Sequence, residues 1–385
     1  MMNRRRFLKT LGGTGVVLAA SAVGLSQCDQ MPSEAIESWQ GPNETLEDRE
    51  WMLSYALLAP NPHNMQSWIA DLRQNNIITI FADDSRLLPD TDPYSRQITI
   101  GQGTFLEILT IAARQRGYRP LVILYPDGSP AEDALEIGAR AIARITLQKD
   151  PTIKRDPLFE QLLKRRSNKQ PYRQVSLSAD HHGQMKAFNL LPGQKTGFAI
   201  TEDTVRPLRD FAKKAMITEM TTPRTLKESV VRTRIGADEI AKHRDGIDLN
   251  GPLFWWLKAF GQFSEEKAMT PGTIAHQGGL DYALGWADGT HGFGWLSTQD
   301  NSREAQVNAG RSYVRLNLMA TSLGIAMHPV SQILQEYPEM TALQTAFNQH
   351  LNIGGQERIQ MFFRIGYQEK PAPSPRRKLT DIMRA

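Results

Sequence analysis

Three clusters of side chains carry chemical potential. The first is Ala59-Pro60-Asn61-Pro62-His63-Asn64-Met65-Gln66-Ser67-Trp68. Two prolines fix the backbone there, and Asn61, Asn64 and Gln66 then offer paired donors and acceptors in a rigid loop. A flat heterocycle with alternating donors and acceptors, such as a flavin or nucleobase, needs such groups. A helix-stop turn capped by asparagines would use the same residues. The second is Lys164-Arg165-Arg166-Ser167-Asn168-Lys169, four bases with hydroxyl and amide donors beside them. That set fits a phosphate, and it also fits a solvated charge run. The third is Pro373-Ser374-Pro375-Arg376-Arg377-Lys378. Its prolines hold the chain rigid and aim bases at one place, unless it is simply a basic tail.

Other chemistries find little support. The eight histidines include no His-Glu-x-x-His pair, so no metal site is expected. The single Cys28 excludes an internal disulfide and cysteine-ligated clusters. His181-His182 reads as a turn, and His328 before Pro329 reads as a helix-entry residue or one near a ligand edge. Gly101-x-Gly103 lacks the third glycine and distant acid of a dinucleotide fold.

The elements that must position these clusters can be read from periodicity. Glu47 to Leu58 and Ile98 to Gly117 have helical spacing, stopped by Pro60 and Gly117. Ile77–Phe81, Leu121–Tyr125 and Ala139–Leu147 read as strands, and Pro157–Arg166 as a helix. The grammar repeats with strands at Gly197–Ile200, Gly294–Thr298 and Arg358–Gly366, and a helix at Val307–Leu323. Gly103, Leu109, Ala113 and Gly117 match Gly310, Leu316, Ala320 and Gly324 at a constant offset of 207. This predicts two related halves, 47–150 and 151–385, behind a polar linker over 29–46. A glycine- and tryptophan-rich insert at about 240–293 reads as a lid or a surface excursion.

The 385 residues are 40% hydrophobic and 22% charged, ordinary for a globular chain. The net charge of +4 equals the four bases Arg4, Arg5, Arg6 and Lys9. The rest is formally neutral, which argues against nucleic acid as a partner. Residues 1–28 join those bases to an apolar stretch from Leu11 to Leu25. That is the layout of a secretory signal, too short for an ordinary membrane span. Arg4-Arg5-x-Phe7-Leu8-Lys9 resembles a twin-arginine signal, implying the twin-arginine machinery as a partner and export of a folded, cofactor-loaded protein. Ala20-Ser21-Ala22 offers a cleavage site, and Leu25-Ser26-Gln27-Cys28 resembles a degraded lipoprotein box. The expected location is periplasmic, or membrane-anchored through an uncleaved or lipidated N-terminus.

Taken together, Pro60…Asn64-x-Gln66-x-Trp68, Arg165-x-Ser167-x-Lys169, the Gly310–Gly324 helix followed by Pro329-Val330-Ser331-Gln332, and the terminal Pro-Arg-Arg resemble the nitroreductase superfamily. His63-Asn64, Asp92-Pro93-x-x-Arg96 and the fused length are more similar to its Acg-type branch. The resemblance implies an α+β, nitroreductase-like fold of two fused halves, each a sheet flanked by helices, forming a monomeric pseudo-dimer around FMN. Arg165, Arg166, Ser167 and Lys169, with Arg376 or Arg377, would hold the phosphate and ribityl chain. Pro60, Asn61, His63, Asn64 and Gln66 would face the ring. Pro329, Ser331 and Gln332 would set backbone donors near N5. The implied activity moves electrons from NAD(P)H or another small-molecule donor to a nitro, quinone or similar acceptor, with no side-chain nucleophile. Family loops carry Ser where Asn61 stands and Pro where Ser67 stands, and a lysine that often reaches the N1 side of the ring has no counterpart. Flavin storage without turnover and a non-catalytic interaction role are the competing classes.

Overall fold

The computed structural model describes residues 29–384. The signal segment, its cleavage site and Cys28 lie outside them.

Helix α1 (Asp48–Ala56) starts where the Glu47 carboxylate accepts from the backbone of Arg49 and Glu50, and it buries Trp51, Met52, Leu53 and Tyr55. Strands β1 (Trp68–Asp71) and β2 (Ile77–Ala82) form a hairpin whose alternate residues are buried. Helix α2 (Arg96–Gln115) is entered through Asp92, whose carboxylate accepts from the backbone of Gln97 and Ile98. Burial pushes that carboxyl up to about 6. Strands β3 (Tyr118–Leu124) and β4 (Ala143–Lys149) complete the first half.

The second half runs through α3 (Ala179–Lys186), β5 (Gln194–Ala199), α4 (Glu202–Thr221) and α5 (Pro223–Val231). A small excursion follows: β6 (Thr233–Ile235), α6 (Ala237–His243), β7 (Ile247–Leu249), α7 (Pro252–Ala259), α8 (Glu265–Met269) and α9 (Ile274–Leu284). The chain then rejoins the sheet with β8 (Phe293–Thr298), α10 (Arg303–Ser322), β9 (Ala326–Pro329), α11 (Thr341–His350) and β10 (Arg358–Gly366). The short β11 (Met383–Arg384) ends the described chain.

Two sheets result. One has the order β11-β1-β2-β4-β3 and the other β5-β8-β10-β9, each flanked by helices, with β6 and β7 as a separate parallel pair. The architecture is α+β, two halves each built on its own sheet. The C-terminal tail leaves the second half and pairs in parallel with β1 of the first.

Helices α2 and α10 join the halves. A β-carbon on Gly103 would collide with the carbonyl of Val307, and one on Gly310 with the carbonyl of Ile100. Ile100 and Val307 are themselves 207 apart, so the contact is reciprocal, as at a two-fold interface. Glycine at both points lets the backbones meet. The repeated helix pattern therefore corresponds to a real pseudo-symmetric contact.

Three local expectations differ. His181-His182 lies within α3 and not in a turn, because Ser178 caps the helix at His181 N. Pro157–Arg166 forms only a short 3-10 turn over Pro157–Gln161, capped by Asp156. The backbone leaves helical form there and Arg165 turns inward to the carbonyl of Leu58. The 29–46 segment is not a free linker. Short turns at Ser33–Ala35 and Glu37–Gln40 bury Ala35 and Trp39, because Trp39 finds a cationic surface to cover.

Candidate functional site

The loop after α1 is held in an unusual shape. His63, Asn64 and Gln66 all adopt positive φ, at 46°, 52° and 51°. Such conformations cost energy for non-glycine residues and persist only when surroundings over-determine them. Asn61 supplies part of that restraint. Its amide oxygen accepts from Gln66 N (2.7 Å), and its nitrogen donates to Ala59 O (3.1 Å). Pro60 O accepts from the Thr104 hydroxyl on α2. Gln66 is fully buried, donating to Arg244 O (2.8 Å) and accepting from Arg377 N (2.8 Å). Asn61 and Gln66 thus spend their amides on the loop and its neighbours. Asn64 turns toward the tail: Nδ2 donates to Pro375 O, and Oδ1 accepts from Arg376 (3.0 Å).

Beside this loop three guanidinium groups converge. Arg165, 2% exposed, and Arg376, 3% exposed, both donate to Leu58 O, at 2.8 and 3.4 Å. Arg165 also reaches Asn317 Oδ1, and Arg376 reaches Ser374 Oγ and Pro375 O. Arg166 donates to Leu163 O and Arg165 O. Their carbons lie 3.9 Å (Arg166), 4.9 Å (Arg376) and 5.6 Å (Arg165) from the centroid of the Trp39 ring. Trp39 is itself buried, and its Nε1 donates to Ser374 O (2.9 Å).

Every acceptor of the three arginines is a neutral oxygen. No Asp or Glu lies within 4.0 Å of them among the described residues. The Nε atoms of all three are buried without an acceptor. Burial, then the charge of Arg165, presses Arg376 down to about 9. Burial likewise presses Arg165 and Arg166 to about 10. A guanidinium does not shed its proton readily, so the cluster is a largely buried positive charge with no carboxylate in contact, Asp248 acting on Arg376 only from a distance. A phosphate monoester, dianionic and rich in acceptor oxygens, matches that deficit.

The remaining sequence candidates fall around this point in different ways. Arg377 is buried but donates to Gln66 O and Asp381 O and lies 3.7 Å from Asp83, on the loop's other side. Ser167 forms an isolated parallel bridge with Met327 next to β9. Lys169 is exposed, and its charge is felt by both His63 and His328. Pro329 ends β9, Ser331 opens the next turn with its hydroxyl donating to Phe362 O, and Gln332 follows it in that turn.

Both histidines are held neutral. Burial takes His63 down to about 4; Glu228 opposes this, while Lys169 and Arg232 add to it. Its Nδ1 is buried with no partner. Burial, Arg364 and Lys169 hold His328 well below its usual value, and its Nδ1 accepts from Arg364 Nε (3.0 Å). The neutral His328 ring therefore carries its proton on Nε2.

Sequence reading missed Trp39, Asn317 and the carbonyl of Leu58. Ile36 and Trp39, spaced by three inside a polar stretch, were the only signal for the first. A main-chain carbonyl leaves none.

The fold and this cluster together define a two-sheet α+β protein with a cationic cluster, free of carboxylate contacts, at the junction of its halves. No family model matches the chain. Two curated Mycobacterium tuberculosis proteins, from strains CDC 1551 / Oshkosh and H37Rv, are named provisionally as NAD(P)H nitroreductases. Each is 23% identical over 339 residues, covering 86% of this chain and 90% of the relative. Among solved structures, a Bacteroides fragilis nitroreductase with bound FMN covers 58% of this chain and 94% of its own (14% identity, TM-score 0.33). An FMN-dependent nitroreductase from Mycobacterium smegmatis in complex with NADPH covers 59% and 96% (15% identity, TM-score 0.35).

Proposed function

We propose that the protein is an FMN-binding oxidoreductase of nitroreductase type, taking electrons from NAD(P)H or another donor and passing them to a nitro, quinone or similar acceptor. The observation that carries this reading is the trio Arg165, Arg166 and Arg376: Arg165 and Arg376 are buried, Arg166 is half-buried, the Nε of each is buried without an acceptor, and no carboxylate is in contact with any of them. The relatives' names agree with it.

Arg165 and Arg376 would grip the phosphate from two sides. Arg166, spread on Trp39, would supply the third charge. Bound FMN supplies hydride transfer at N5, chemistry that no side chain here can provide. The chain's own part is to bind, orient and keep water out. His63 and Lys169 on one side, and Pro329 and Ser331 on the other, would border the ring. Neutral His63 can accept a hydrogen bond at Nδ1 in one tautomer and donate one there in the other, since no partner fixes its proton. Asn61 and Gln66 act indirectly, by holding the loop. In this reading the protein works as a single-chain pseudo-dimer, exported by the twin-arginine route and periplasmic or anchored by its N-terminus.

A second reading, flavin storage without turnover, is favoured by one feature. The loop is covered from outside, since Gln66 donates to Arg244 O and Gly246 N donates to Asn64 O. That cover restricts access by a dinucleotide.

Cofactor content and spectra of the purified full chain test both. The FMN reading requires yellow protein that loses cofactor affinity in Arg165→Ala; a colourless protein that refuses FMN would overturn it. Anaerobic NADH or NADPH then separates turnover, seen as bleaching, from storage, seen as persistent colour.

A further inference from the structure

We propose that helix α7 and Phe260 form a lipid-contacting surface that seats this end of the fold on a bilayer. Helix α7 reads Pro-Leu-Phe-Trp-Trp-Leu-Lys-Ala, yet none of its residues is buried. Leu253 is 46% exposed, Trp255 41%, Trp256 37% and Phe260 64%. Trp256 and Phe260 stack at 4.9 Å, and Trp255 meets Trp256 edge-on at 5.3 Å. Four large apolar side chains thus share one outward patch, which a lone soluble protein seldom leaves in water. Tryptophan suits a membrane surface, since its ring is apolar and its N–H still finds polar partners. At eight residues the helix is about 12 Å long and can lie on a bilayer but not cross it.

The occupant is indicated by where the described chain begins. Asp29 is pinned to the start of α7: its carbonyl and carboxylate accept from Gly251 N, at 3.1 and 3.0 Å. Its carboxylate also accepts from Ala237 N at the start of α6. The apolar stretch Leu11–Leu25 lies directly upstream in the sequence. One apolar feature thus precedes Asp29 in the sequence, and the other begins at the helix to which Asp29 is bonded. A lipid surface would engage both at once.

Charge narrows the mode of contact. Between Gly236 and Thr270 four Lys or Arg stand against six Asp or Glu. Lys258 is paired with Glu239 at 2.7 Å. Attraction to anionic headgroups is thus not the driving force, and aromatic insertion is. Binding should tolerate high salt and need no anionic lipid.

The test uses full-length protein and phosphatidylcholine vesicles carrying bromine on their acyl chains. Of the seven tryptophans, only Trp255 and Trp256 are exposed, and residues 1–28 contain none. Quenching by brominated lipid therefore reads this patch and not the N-terminal segment. The expected result is quenching that survives 0.5 M salt, roughly fifty-fold above a low-salt buffer, and disappears in Trp255→Phe/Trp256→Phe, which still binds. Replacing Leu253, Trp255, Trp256 and Phe260 by serine should lower vesicle partitioning about tenfold or more. Vesicle binding without quenching would assign all attachment to residues 1–28 and overturn the proposal. So would quenching abolished by salt, no binding at all, or a dimer in light scattering that loses its partner in the serine variant.

Discussion

Two arginine clusters lie against the helix pair that joins the halves, one built on Arg311 and Arg315 of α10 and the other reaching Asn317 of the same helix, and they are built in opposite ways. In one, Glu107 of α2 accepts from Arg311 (2.8 Å) and Arg315 (3.0 Å) of α10, and Asp156 accepts from Arg315 (2.7 Å). In the other, Arg165, Arg166 and Arg376 meet only carbonyls, two side-chain amides, a hydroxyl and an indole face. Burial alone would lower Arg315, but Glu107 and Asp156 outweigh it and the group rises. The carboxylate-free trio is pressed down. A cluster that carries its own counter-charge fastens structure. A cluster that lacks one is balanced only when something anionic arrives.

The comparison can be broken most sharply at Arg165. Arg165→Ala should weaken FMN binding by about 1.5–3 kcal/mol, the range for a charge-assisted bond, while leaving urea stability of cofactor-free protein unchanged or slightly higher. Titration by flavin fluorescence and urea melts check the two parts; equal FMN affinity would remove Arg165 from the site. Glu107→Gln should do the reverse. It should cost about 1–3 kcal/mol of folding stability, because two partly exposed arginines lose a buried partner, and leave FMN affinity within twofold, about 0.4 kcal/mol.

A smaller effect concerns pH. His63 falls from its ordinary 6.5 to about 4 in the fold. The unfolded chain then binds more protons between these values, so stability present above pH 6.5 is lost as pH falls toward 4. Asp92, raised to about 6, works in the opposite sense below pH 6. The His63 part is isolated by difference. Relative to wild type, His63→Gln should gain about 1–2 kcal/mol between pH 7 and pH 4, less than the roughly 3 kcal/mol of a fully buried imidazole because His63 keeps partial exposure, measured by denaturant melts at each pH. Smallest is Trp39→Leu, expected to weaken FMN binding by about 1 kcal/mol through loss of the ring that braces the cations, read in the same fluorescence titration. If Trp39→Leu instead tightens binding, the indole competes with the phosphate rather than bracing its site.

Much of the framework was legible in the sequence because local rules wrote it. Helices α2 and α10 announced themselves by apolar period and glycine stops, and their 207-residue offset survives as the Gly103–Gly310 contact. That Arg165 and Arg376 carry cationic forks suited to an anion could be read from residue type. Their convergence could not, since 211 positions separate them and only the returning C-terminal tail brings them to Leu58 O. Asn61 and Gln66 show the converse. Their composition suits a ring, but the loop's strained backbone consumes their amides.

What the chain determines on its own, then, is which segments coil, which extend and which side chains can hold an anion, because those depend on neighbours within a few residues. Tertiary structure alone decided that three like charges stand together without a carboxylate and that Trp39, from a polar stretch, covers them. Such pairings arise between segments distant in sequence, where no local pattern constrains the outcome.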